Sequence, residues 1–181
     1  MADTLTQNLK LIKPDPGSNG WDGKLNGDLD LLDSIITGYI KISDVKTSGT
    51  SGGTFNAGAW QTRDLNTTDS DVNNLSALAG NQITLEPGTY VAYITCPAWT
   101  VNGNQSRLRD VTNSVTVLLG TNEQGVNSTS RSVISGLFTI SSQTVFEVQH
   151  RCQSSKAFNG FGFALSWANE VYTSAEFRKI G

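Results

Sequence analysis

Apolar positions along the chain follow two periods. Between residues 21 and about 40, Leu25, Leu29, Leu32 and Ile36 recur at spacings of four, three and four. That rhythm predicts a short amphipathic helix. Asp22 is placed to cap its start, and Asp22, Asp28 and Asp30 lie in its first half, where the helix dipole favours negative charge. Gly23 and Gly27 weaken it, and so short a helix needs a surface to pack on. That surface is either its own domain or the same stripe in symmetry-related copies, which would form a small bundle on an axis.

From about residue 43 the helical period is lost. A flexible Gly/Ser/Thr stretch, residues 47–54, leads into short β-rich runs separated by turn residues. The runs are 83–85, 89–95, 107–111, 114–119, 132–140, 144–150, 160–167 and 175–180. Glu86-Pro87-Gly88 and Asn102-Gly103 are turn signals between them. Phe146, Val148 and His150 share one face of their strand, and Glu147, Gln149 and Arg151 share the other. In the run at 160–167, Phe161, Phe163, Leu165 and Trp167 point one way and small residues point the other, which allows another backbone to approach closely. Regular short strands without intervening helices predict an all-β sandwich or jelly roll. The expected organisation is an arm and helix over 1–42 and a β domain over 43–181.

Ahead of the helix, residues 1 to about 20 read as an extended arm. The run 13–20, with Pro14 and Pro16, is turn and polyproline chemistry. Leu9, Leu11 and Ile12 precede it, and a short arm has no core in which to bury them. A partner surface is their natural sink. Met1 to Thr6 lack a basic region and an apolar core, so no secretory signal is expected, and no apolar run reaches membrane-spanning length.

Composition narrows the chemistry. The 181 residues are 37% hydrophobic and only 16% charged, with a net charge of −3. Few Lys and Arg argue against nucleic-acid binding, which needs a basic footprint. Cys96 and Cys152 cannot alone build a disulfide framework or a structural zinc site, and are expected as reduced thiols, with a single bridge open to them under oxidation if their strands are neighbours. Gly49-Thr50-Ser51-Gly52-Gly53 matches a nucleophile elbow, with Asp110 and His150 following in hydrolase order. That motif needs a strand, a tight turn and a helix, and here low complexity explains it. The single histidine is expected as a hydrogen-bonded strand residue. Asp69-Ser70-Asp71-Val72-Asn73 opens like a calcium loop but has Asn74 and Gly80 where Gly and Glu are required. No cofactor, metal or enzymatic activity is expected.

Residues 52–181 resemble the phage version of the tumour necrosis factor-like, complement-globular-head-like jelly roll. The resemblance rests on Gly53 to Thr67, Ile83 to Tyr90, Ser106 to Thr112, Gly136 to Ile140, Phe146 to Cys152, and Asn159 to Phe163 with Glu170-Val171-Tyr172. Leu11 to Gly17, Gly20 to Asn26 and Asp28 to Asp33 are similar to a leader on many phage tail-fibre and other virion surface proteins. A bulky aromatic usually stands at or beside Leu29 there. The jelly-roll resemblance implies a homotrimer packed about a threefold axis through aromatic and small residues, a role carried onto Tyr90, Tyr93, Phe161, Phe163 and Tyr172. With Leu25, Leu29, Leu32 and Ile36 these form the expected trimer interface. Leu9, Leu11, Ile12, Pro14 and Trp21 form the expected virion anchor.

Two roles follow. One is capsid decoration, cement or head fibre: a trimer bound by its arm to the major capsid protein, with the jelly roll outward. The other is a short tail fibre or receptor-binding protein that docks on a tail or baseplate protein and contacts a host receptor or glycan. A short helix and a Gly/Ser stretch leave little shaft between leader and head, which favours a compact knob on the capsid. Either role places the chain at the virion surface after synthesis in the host cytoplasm, without membrane insertion.

Overall fold

The computed structural model describes residues 4–5, 12–13 and 20–181, with backbone alone for 4, 5, 13, 22, 31 and 33–37. Two short strands, β1 (Thr4–Leu5) and β2 (Ile12–Lys13), pair antiparallel, and the Ile12 amide donates to Asp28 Oδ1 at 2.7 Å. This part of the arm therefore touches the helix of its own chain. The helix, α1, spans Trp21–Thr37. Its N-cap is Gly20 in the left-handed region at φ 80°, without a side-chain cap, so Asp22 lies inside the first turn and not at the cap position expected for it.

Eleven strands form one sheet that wraps into a sandwich. Its members are β3 (Tyr39–Lys46), β4 (Gln61–Thr62), β5 (Thr67–Asp71), β6 (Ser76–Ala79), β7 (Gln82–Leu85), β8 (Gly88–Trp99), β9 (Asn102–Asp110), β10 (Val115–Gly125), β11 (Thr129–Ile140), β12 (Thr144–Cys152) and β13 (Glu170–Lys179). The order is β5-β3-β13-β8-β11-β10-β9-β12-β7-β6, with β4 against β12. The first strand of this sheet starts at Tyr39, ahead of residue 43, where the loss of helical period would place it.

The first five strands of that order make one layer, and the strands from β10 to β6 make the other. Register between β11 and β10 is a single pair, Gly120 with Ile134, where the sheet folds over. The outermost strands β5 and β6 follow one another in sequence across a turn. Asp71 holds that turn by accepting from the Leu75 and Ser76 amides and the Ser76 hydroxyl. The two ends of the sheet thus meet, and few backbone groups are left at open edges. Between β7 and β8, and between β8 and β9, the chain crosses from one layer to the other, as a jelly roll requires.

The core lies between the layers. Tyr90, Ile94, Ile134 and Phe177 from one meet Ile83, Leu108 and Phe146 from the other. Phe138 sits at the centre, edge-on to Phe146 and Phe177 with ring centroids 5.4 and 6.3 Å away. Burial pushes the Tyr90 hydroxyl pKa up to about 12, and that hydroxyl donates to the Glu86 carbonyl at 2.8 Å. Cys96 belongs to this core and Cys152 to a smaller cluster with Phe55, Ala98 and Val101. Both thiols are free, and burial raises each pKa to about 11.

Residues 160–167 form no strand, contrary to the sequence pattern. Their backbone closes the end of the sandwich against residues 49–55. The Gly52 amide donates to the Gly162 carbonyl, and the Phe161 amide to the Gly53 carbonyl. Ser166 and Gly162 both have positive φ, which breaks extended pairing. The small residues do permit close approach, but within the chain. A Cβ on Gly162 would lie 2.1 Å from the Tyr172 ring, and one on Gly160 would lie 2.6 Å from Phe55.

Candidate functional site

The two outer faces of the sandwich differ in chemistry. On β8, alternation sends Tyr90, Ala92 and Ile94 inward and Val91 and Tyr93 outward, so the strand is apolar on both faces. Antiparallel register sets Val91 opposite Leu137 on β11 and Tyr93 opposite Ser135. On the other flank Arg178 and Glu176 of β13 stand opposite Val91 and Tyr93. Tyr93 is 51% exposed and Leu137 58%. A depression of about 230 Å³ lies between Tyr39, Val91 and Tyr93. Towards the end closed by residues 160–167, a second hollow of about 450 Å³ is lined by Trp99, Phe163, Leu165 and Val171. Apolar side chains thus run along the outer side of β8 and β11 and reach Val171 of β13, flanked by Glu176 and Arg178 of β13 and Arg131 of β11. An exposed band of this kind marks an interaction surface.

Sequence reasoning located this band only in part. Tyr93 and Phe163 lie on it. Tyr90 does not, because it is fully buried in the protomer's own core. Tyr172 is nearly buried, packs against Gly162 and donates its hydroxyl to the Thr50 carbonyl, so only its edge reaches the hollow. Phe161 is half-buried under the end of the sandwich, stacked on Phe55 at 4.2 Å. Val91, Leu137 and Val171 were missed. Their signal was the two-sided apolar character of β8, since a strand greasy on both faces is covered on both.

The helix stripe is also open. Trp21, Leu25 and Leu29 are each more than half exposed, and Leu32 is half-buried. Ile36 lies in α1 with its side chain outside the described residues, as do Leu9, Leu11 and Pro14 altogether. Ile12 is half-buried beside α1. The described part of the chain leaves Trp21, Leu25 and Leu29 on the apolar face of α1 exposed.

The other outer face, on β12, β9 and β10, is mostly polar, although Leu119 of β10 is exposed there opposite Arg107. Burial pushes the Glu147 carboxyl up, but hydrogen bonds from Gln82, Gln149 and Thr62 outweigh it and leave its pKa below the ordinary value. Arg107 donates twice to Gln149 Oε1, at 2.9 and 2.7 Å, and lies 4.3 Å over the Trp60 ring. Beside this stack a groove of about 550 Å³ opens between Trp60, Gln105, Asn122, Glu123, Arg151 and Gln153.

Between the faces, the interior holds a polar seam. Arg63 is 1% exposed, donates to Thr173 Oγ1, Pro97 O and Phe161 O, and covers the Phe161 ring at 4.2 Å. His150 is fully buried on β12, as a strand histidine should be, with Nε2 2.9 Å from Asn104 Oδ1. Asp110 accepts from the Asn113 amide and side chain instead. The hydrolase-like series is therefore not assembled. Asp69 and Asp71 are bound to Ser43 and to the β5–β6 turn.

No protein-family model matches the chain, and no curated protein matches it in sequence. Solved structures do match its shape. The globular domain of zebrafish complement 1qA superposes with a TM-score of 0.52 at 12% identity, covering 79% of this chain and 97% of that one. Murine APRIL at pH 8.5 gives 0.50 at 10% identity, covering 78% and 98%. PRD1 vertex protein P5 gives 0.51 at 18% identity, covering 80% and 98%. The chain has the tumour necrosis factor/complement 1q jelly-roll fold.

Proposed function

We propose that the protein is a structural component of a phage virion, a homotrimer held to the particle by its N-terminal segment. Residues 1–42 serve as the anchor and axial helix, and 43–181 as a projecting knob, with the first strand of the knob's sheet reaching back to Tyr39. The observation that carries the trimer is the apolar band along β8 and β11, together with the helix residues Trp21, Leu25 and Leu29, which the described residues leave exposed. Three copies supply the missing partner for both. Similarity in fold to a protein named as a PRD1 vertex protein supports a place on the capsid exterior. Trimerisation also multiplies a weak contact of each arm with the major capsid protein by effective concentration. The role is decoration or head fibre, stabilising the shell beneath the knob.

One observation favours a second reading, a short tail fibre or receptor-binding protein. The polar groove beside Trp60 has the size and mixed chemistry of a ligand site.

Deleting residues 1–20 tests the anchor. The shortened chain should remain a folded trimer by sedimentation and should no longer co-sediment with particles stripped of the native protein. Retained binding rejects the anchor. Copy number separates the two roles: hundreds of chains per particle fit the capsid, a few dozen fit the tail.

A further inference from the structure

We propose that the groove beside Trp60 is a binding site for a neutral saccharide. Register builds its floor. Asn122 on β10 stands opposite Gln105 on β9, and Gln105 stands opposite Arg151 on β12, so the three long polar side chains form one cross-strand row. Glu123 and Gln153 border that row, and the Trp60 ring forms the wall.

The free hydrogen-bonding capacity is mixed. Among the described residues Arg151 has no ion pair and the Asn122 amide no hydrogen bond. Gln105 donates its amide to the Gly120 carbonyl, which leaves its oxygen to accept. Gln153 accepts from the Gly103 amide through its oxygen, which leaves its NH2 to donate. Glu123 accepts from the Thr121 hydroxyl through one oxygen and keeps the other. An anion would ask for donors alone and a cation for acceptors alone. A hydroxyl donates one bond and accepts two, so donors and acceptors interleaved in one row match a polyol. The charges of Arg151 and Glu123 offset each other, which favours a neutral ligand.

Trp60 supplies the second half of sugar chemistry. A pyranose carries an apolar face of C–H groups, and an indole presents a negative face to them. Arg107 covers the ring but does not line the groove, so the groove meets the part of the ring that the guanidinium leaves free. Arg107 is itself pinned by Gln149 and by Thr116 Oγ1, so the wall is held in place before any ligand arrives. A volume of about 550 Å³ lies within the usual range for small-molecule sites and admits one or two hexose units.

The test titrates the full-length protein with di- and trisaccharides of glucose, galactose, mannose and N-acetylglucosamine, followed by NMR shifts of the Trp60 indole and of the Asn122 and Arg151 amides. At least one series should saturate with a Kd near ~1 mM, and Trp60→Ala should weaken it about tenfold or more. Because Trp60→Ala also frees Arg107, Asn122→Ala serves as a second variant. It removes an exposed side chain without hydrogen-bond partners and should weaken the same titration severalfold with an unchanged melting temperature. Absence of saturable binding across the panel overturns the proposal. So do binding unaffected by both variants, shifts that map elsewhere, and saturation by an acidic peptide alone. Particle attachment is measured separately, so loss of either result leaves the other standing.

Discussion

At the scale of single residues the polar seam sets the response to pH. Asn104 gives its amide NH2 to Ser130, so its oxygen accepts from His150 Nε2–H. The other ring nitrogen has no partner among the described residues. Burial holds the His150 pKa well below the ordinary value, and the Arg63 charge lowers it further. The folded chain therefore keeps this ring neutral while the unfolded chain takes up a proton below about pH 6.5. Stability falls as pH drops through that value, because the unfolded state binds more protons. A His150→Gln variant keeps a donor towards Asn104 and removes the titration. Urea midpoints of the two proteins, measured at about pH 8 and about pH 5, should show wild type losing stability relative to the variant at the lower pH. Carboxylates such as Asp44 and Glu170 titrate in both proteins and cancel. An equal gap at the two pH values would mean that His150 plays no part.

At the scale of elements, the segment 156–169 shows what a sequence pattern can hide. Its alternating Phe161, Phe163, Leu165 and Trp167 have strand spacing, yet its backbone hydrogen bonds go to residues 52–55, to the Trp99 amide and to turns within the segment. Glu170 accepts from the amides of Gly49, Leu165 and Ser166, and these bonds hold its pKa below the ordinary value. Arg63 fastens the other end through the Phe161 carbonyl and ring. The Gly49 and Arg63 contacts join residues far apart in sequence, so period alone could not reveal them. Strands β7, β8, β11 and β12 were legible because their alternation is set by one shared core, and α1 because its stripe is; β9 and β10 were legible only in part, since Asn102-Gly103 open β9 where a turn was expected and β10 runs on to Gly125. Strand β3 was not, because Ile40 and Ile42 continue the apolar run of the helix with only Gly38 between. Replacing Arg63 by Lys removes the fork that reaches three acceptors at once. The cost should be about 1.5–3 kcal/mol, read as a lower thermal midpoint. Limited proteolysis should also cut faster within 156–169. Unchanged cutting would show that the segment is held without the guanidinium.

At the scale of the whole molecule, the division of the outer surface bears on the proposed trimer. A face bearing Val91, Tyr93 and Leu137 loses contact with water when a second copy covers it, and burial of apolar surface favours that by roughly 25 cal/mol per Å² before the costs of association. The opposite face, with its bonded Glu147, Gln149 and Arg107, would have to surrender satisfied polar groups for the same gain. In the proposed trimer, association through β13, β8 and β11 would leave the Trp60 groove open to solvent. In the proposed trimer the helix stripe would add a second, smaller contact that a short helix cannot sustain alone. These unequal contributions predict a graded outcome. Val91→Glu with Tyr93→Lys should give a folded monomer by sedimentation velocity and far-ultraviolet circular dichroism, since charges placed at an apolar contact are costly to bury. Leu25→Asp with Leu29→Asp should leave a trimer at high concentration that dissociates on dilution. Should the helix pair abolish the trimer while the sheet pair leaves it intact, the axis runs through the helices alone. The apolar band would then need another partner.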